Sequence, residues 1–225
     1  MSCKAFLFFL FLMPVISVAG LVATPTRIIY DGSSEAYSVV IKNESKSTFL
    51  ASAIFDEKGR PFFTITPPIV RLEPGEKTIL RVRGIDTENF PTDRESVFNY
   101  SITIIASEDS KVMQSNRIAM ANRYWFKLFY RPQKIGKPQI NSCDLEFNKM
   151  KGELYVKNNT PFFSTLVFLS TDGKRILLTP EKAMIEPYSS QQINISANVS
   201  FVEWIRINDY GGLEKKCNYS LIGKE

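Results

Sequence analysis

The run from Arg117 to Pro132, R-I-A-M-A-N-R-Y-W-F-K-L-F-Y-R-P, constrains this chain more than any other stretch. It holds no glycine and no internal proline, and it is rich in aromatic and β-branched side chains, so it reads as one long β-strand. At roughly 3.3 Å per residue it would reach on the order of 50 Å, well beyond the usual strand of about five or six residues. Alternation puts Ile118, Met120, Asn122, Tyr124 and Phe126 on one face, and Ala119, Ala121, Arg123, Trp125, Lys127 and Phe129 on the other. Such a strand can be the core of a sandwich, or it can keep a free edge that pairs with another chain. Arg131-Pro132 is a strand stop and the start of a linker.

The rest of the chain is built from shorter pieces of the same kind. Thr24–Tyr30 reads as a first strand ended by the Asp31-Gly32 turn, and Tyr37–Asn43 alternates apolar and polar residues as a half-buried strand does. Phe49–Asp56, Phe62–Thr66, Ile69–Leu72, Thr78–Val82 and Phe98–Ala106 follow, separated by Gly, Pro and Asx turns. This spacing predicts a β-sandwich of about seven strands and about 100 residues. After the linker-like R-P-Q-K-I-G-K-P the pattern starts again, with strand candidates from Cys143 to Leu221 and no long helix. The expected fold is therefore all-β, with two sandwich domains at 20–135 and 136–225.

Composition removes several classes of function. The chain has 225 residues, 44% hydrophobic and 23% charged, and the net charge of +5 comes from Lys and Arg scattered among Asp and Glu. No nucleic-acid-binding motif is present, so nucleic acid is not an expected partner. There is no histidine, which excludes Ser-His-Asp and Cys-His catalysis in their usual form and imidazole-ligated zinc. No phosphate-binding loop, nucleophile elbow or dinucleotide fingerprint occurs either. An Asp/Glu hydrolase is the enzymatic reading that survives, and no cofactor, metal or small-molecule substrate is expected.

Residues 1–19 carry Lys4, an apolar run interrupted by Pro14, and small residues at Ser17 and Ala19. This is the layout of a secretory signal peptide cut before Gly20. Of the three cysteines, Cys3 would leave with it, and Cys143 and Cys217 would remain. In an oxidising compartment such a pair is most simply a disulfide.

Five motifs, in order along the chain, resemble the PapD-like periplasmic chaperones of chaperone–usher pili. They are T-R-I-I-Y-D-G at Thr26–Gly32, T-P-P-I-V-R-L-E-P-G-E at Thr66–Glu76, D-R-E-S-V-F at Asp93–Phe98, K-L-F-Y-R-P at Lys127–Pro132 and I-N-D-Y-G-G at Ile207–Gly212. The resemblance implies two immunoglobulin-like domains in a boomerang, located in the periplasm. It implies capture of pilus subunits that lack their last strand, donor-strand complementation by the long edge strand, and delivery to an outer-membrane usher. It places Arg27 and Lys127 where the family holds a subunit's C-terminal carboxylate, and Glu95, Arg131 and Asp209 where it has an interdomain charge network. Ile118, Met120 and Asn122 fall in the donor strand, where Asn122 interrupts the family's run of bulky apolar residues. A secreted adhesive or structural subunit is the competing reading; it would be a single incomplete sandwich with an N-terminal extension.

Ser17 and Ala19 at −3 and −1 of the expected cut predict that intact-mass measurement of protein from the periplasm finds a chain beginning at Gly20. Retention of residues 1–19 would contradict this.

Overall fold

The structure, a computed structural model, describes residues 20–106, 121–150, 153–194 and 199–221. Ile118, Met120 and the 1–19 leader lie outside the described residues. The first half contains β1 (Leu21–Thr24), β2 (Arg27–Tyr30), β3 (Tyr37–Asn43), β4 (Phe49–Phe55), β5 (Phe63–Thr66), β6 (Ile69–Leu72), β7 (Lys77–Gly84), β8 (Ser96–Ala106) and β9 (Ala121–Tyr130). These strands form two facing sheets, β1-β3-β7-β5 and β2-β9-β8-β4-β6. Alternate residues point between them, as β4 shows with Phe49, Ala51, Ala53 and Phe55 all buried. Phe63, Tyr100, Ile41, Leu72 and Leu128 complete the same core.

The stretch Thr24–Tyr30, expected as one strand, is two strands in different sheets. β1 pairs antiparallel with β3, whereas β2 pairs parallel with β9. The break falls at Pro25, which has no N–H to give to a ladder. Pattern alone could not show the switch, because a proline marks where a ladder is interrupted but not which sheet each half joins.

The second half contains β10 (Leu145–Met150), β11 (Glu153–Asn158), β12 (Ser164–Thr171), β13 (Lys174–Arg175), the one-turn helix α1 (Pro180–Ala183), β14 (Met184–Ile185), β15 (Ser189–Ile193), β16 (Phe201–Arg206) and β17 (Cys217–Ser220). Its sheets, β10-β11-β15 and β13-β12-β16-β17, enclose a separate core around Trp204, Phe147 and Leu169. Thr179 caps α1, accepting from the backbone N–H of Lys182, with Pro180 at the first helical position. The expected strand over Arg175–Thr179 is limited to its first residue. The region R-P-Q-K-I-G-K-P, which has the composition of a linker, begins with Arg131 buried at 5% exposure and continues into a 3-10 turn at Gln133–Ile135.

Cys143 and Cys217 form a disulfide that ties the segment before β10 to β17. A loop closed over 74 residues stabilises the folded state by about 4 kcal/mol in the chain-entropy account. Reduction is therefore expected to lower the unfolding midpoint of the second sandwich. Its buried Trp204 reports on this by fluorescence, and an unchanged midpoint in excess reductant would contradict it.

Candidate functional site

The parallel register of β2 with β9 makes Arg27 and Lys127 direct neighbours. On the other side of β9, Lys127 faces Asn99 of β8, and its Nζ donates to Asn99 Oδ1 at 3.3 Å. Asn99 Nδ2 in turn donates to Asp56 Oδ2 at 3.1 Å. A polar row thus crosses the sheet, cationic at one end and acidic at the other. Burial holds the Lys127 ammonium below its usual range, and the neighbouring Arg27 cation adds to this. Burial also lowers Arg27, against the pull of Asp209 and Glu95.

Arg27 is anchored from the second sandwich. Its Nη2 donates to Thr165 Oγ1 at 2.6 Å, and its Nη1 donates to the carbonyls of Ile207 and Asn208 at 3.4 and 3.3 Å. The guanidinium lies over the Phe129 ring, 4.8 Å from its centroid. Phe129 itself sits on the outward side of β9 with Lys127, yet it is only 2% exposed because Phe163 of the second sandwich packs against it at 5.7 Å. Around these residues opens a cleft of about 250 Å³ lined by Thr26, Arg27, Trp125, Lys127, Thr165 and Ile207, among others. Two half-buried like charges on neighbouring strands repel each other, and a single anion between them would relieve that repulsion. Among the described residues, no group of acidic or cysteine side chains is placed to hold a metal ion.

The edge of β9 leads into this cleft. β8 covers one side of β9 along its length, but β2 covers the other side only at 127–130. From Ala121 to Phe126 no described strand pairs with that side, so its backbone N–H and C=O groups face outward. Asn122 is exposed, Tyr124 and Phe126 pack against the first core, and Trp125 is 58% exposed.

Glu95, Arg131 and Asp209 form a second charged cluster, between the sandwiches. Arg131 Nε donates to Glu95 Oε1 at 2.7 Å, while Nη1 and Nη2 grip the two oxygens of Asp209 at 2.7 and 2.8 Å. The other Glu95 oxygen accepts the Phe163 N–H at 2.7 Å. Burial works against the Arg131 cation, but the Asp209 hydrogen bonds and the two carboxylate charges outweigh it and hold its pKa above the usual value. The bidentate geometry needs a planar fork, which lysine lacks.

Thr165, Phe163 and the carbonyls of Ile207 and Asn208 carry no signal in the sequence, because ordinary strand and turn residues become partners only when the sandwiches dock.

The chain matches two family models: "Pili and flagellar-assembly chaperone, PapD N-terminal domain" over residues 20–136, and "Pili assembly chaperone PapD, C-terminal domain" over residues 143–218. It belongs to the PapD family of pilus-assembly chaperones. Among PapD-family relatives, it is 34% identical over 212 residues to the "Probable fimbrial chaperone LpfB" of Escherichia coli O157:H7, covering 90% of this chain and 89% of that protein. It is likewise 34% identical over 209 residues to the "Chaperone protein PapD" of Escherichia coli, covering 87% and 85%. The crystal structure of the E. coli chaperone DraB superposes with a TM-score of 0.75 at 28% identity, covering 91% of this chain and 98% of that one. Both family models describe chaperone domains, so the adhesive-subunit alternative finds no support, and the PapD family is a chaperone family rather than an enzyme class.

Glu95 has a side chain 2% exposed and Asp209 one 28% exposed. Arg131→Met would strand Glu95 in a dry site and is expected to cost about 3–5 kcal/mol in denaturant unfolding. Asp209→Asn is expected to cost less, since its partner keeps Glu95. Equal or reversed costs would contradict this ordering.

Proposed function

We propose that this chain is a periplasmic chaperone that holds pilus subunits by strand addition at the open edge of β9. The observation that carries the proposal is the course of that edge, which runs unpaired from Ala121 to Phe126 and ends at the adjacent cations Arg27 and Lys127. A sandwich lacking one strand has a groove of apolar surface and a row of unpaired backbone groups, each costly in water or when buried. β9 offers the matching row, and Asn122 on it, with Ile118 and Met120 just ahead of it in the sequence, are the side chains that would enter the groove.

The cations fix where a guest strand stops. A subunit whose C-terminal carboxylate sits between Arg27 and Lys127, and whose last strand lies along residues 121–126, runs in the same direction as β9. It then continues the line of β2, which begins at Arg27. Charge-assisted hydrogen bonds from two cations contribute roughly 1.5–3 kcal/mol each. They also set register, since a slip of one residue would turn every guest side chain to the wrong face. The Glu95–Arg131–Asp209 cluster holds the angle of the cleft. In this reading residues 1–19 are a signal peptide, the domains are 20–135 and 136–225, and the loaded chaperone passes its subunit to an outer-membrane usher.

Co-purification with candidate subunits tests the reading. Lys127→Ala removes a cation whose one hydrogen-bond partner among the described residues is Asn99, and it is expected to cut recovery of complexes by more than tenfold, in line with a loss of about 2–5 kcal/mol. Arg27→Ala is expected to do the same. Ile118→Asp and Met120→Asp should weaken capture through lost apolar fill with the anchor intact, and Asn122→Leu should tighten it. Recovery at the wild-type level by the Arg27→Ala, Lys127→Ala double variant would remove the anchor from the mechanism.

A further inference from the structure

Arg27 belongs to both sandwiches at once. It lies on β2 of the first, yet its side-chain hydrogen bonds among the described residues go to the second: to Thr165 at the start of β12 and to the carbonyls of Ile207 and Asn208. A guanidinium carries five N–H donors in a fixed fork. Among the described residues three are used, which leaves the Nε–H and one Nη2–H for a ligand in the cleft.

The turn that receives Arg27 is held at a second point. It runs from Asn208 to Gly212, closed by Asn208 N–H donating to the Gly212 carbonyl and by the Asn208 side chain accepting from the N–H groups of Tyr210 and Gly212. Asp209, within the turn, is the residue that Arg131 grips. Gly211 adopts φ +81°, and a Cβ there would come within 2.9 Å of Thr26 Oγ1, so the turn lies directly on the residue preceding Arg27. One rigid turn therefore touches the first sandwich at the anchor cation and at the interdomain cation.

We propose that the anion anchor is completed by interdomain docking, with Thr165 and the Ile207 and Asn208 carbonyls acting as positioning groups for Arg27, so that carboxylate capture and domain docking reinforce each other. The proposal rests on the anchor reading above and adds its regulation. Held on three bonds and over Phe129, Arg27 has already lost the side-chain freedom that a solvated arginine would lose on binding. If the second sandwich swings away, Arg27 sits beside Lys127 with no acceptor, and repulsion between the cations turns it out of the cleft. Any coupling of this kind is reciprocal: a bound carboxylate stabilises the docked arrangement by the same factor by which docking favours the carboxylate.

The experiment uses the whole mature chain and a synthetic peptide of alternating valine and serine, in one form with a free C-terminal carboxylate and in another with a C-terminal amide. The readout is the ratio of the two affinities by calorimetry, which isolates the anchor from strand pairing. Thr165→Val keeps the shape but removes the acceptor, and Asp209→Asn loosens the turn from outside the cleft. Each is expected to lower the acid-to-amide ratio about five-fold or more, and Thr165→Ser to restore it. In the wild type the free acid should also narrow the distance distribution between spin labels on Lys46→Cys and Lys174→Cys, and the amide should not. An unchanged ratio in Thr165→Val and Asp209→Asn overturns the coupling while leaving the anchor in place. A lowered ratio without narrowing by the acid overturns it too. A wild type that does not distinguish acid from amide overturns the anchor reading and the coupling with it.

Discussion

The short parallel pairing of β2 with the last four residues of β9 is the contact on which the site depends. It exists because the chain leaves one sheet after Thr24 and joins the other at Arg27, with Pro25 interrupting the ladder between them. Had β1 continued in its first sheet, Arg27 would be far from Lys127. Had β2 begun earlier on the second sheet, it would have covered the edge of β9. The pairing thus sets two things at once: a pair of cations on adjacent strands, and an open edge that ends at them.

An open edge is ordinarily a hazard, since its backbone groups can pair with any extended chain. Here the hazard is limited by charge. Arg123 and Lys127 flank the exposed Trp125, and Arg123 Nε donates to Thr103 Oγ1 across the strands at 3.0 Å. In the function proposed above this edge is the working surface, and the two cations at its end would favour strands that terminate in a carboxylate over internal segments of arbitrary chains.

Buried charge performs a different task between the sandwiches. Arg131 lies in a site where desolvation opposes its charge, and two carboxylates and a backbone N–H are required to satisfy it and Glu95. Apolar residues of similar size would contribute as much or more to stability. What they would not supply is direction. The fork of Arg131 is satisfied at one relative placement of Glu95 and Asp209, and the Phe129–Phe163 contact would by itself tolerate sliding.

The sequence by itself determined most of the strands and the cysteine pairing. Period-two alternation in Tyr37–Asn43 and Phe49–Phe55 follows from the geometry of a half-buried strand, and it needs no knowledge of the neighbours. With residues 1–19 read as a leader, counting cysteines left Cys143 and Cys217 with one simple arrangement. Arg27 and Lys127 could be linked in the sequence only through their resemblance to a known family, because nothing local connects two cations a hundred positions apart. The tertiary structure decided the split of Thr24–Tyr30 between two sheets, the burial of Arg131 in a stretch with the composition of a linker, and the recruitment of Thr165, Ile207 and Asn208 around Arg27. The physical reason is common to all three. Backbone pairing and turns are set by residues a few positions apart, whereas the partner of a buried cation is chosen only when two completed sandwiches meet.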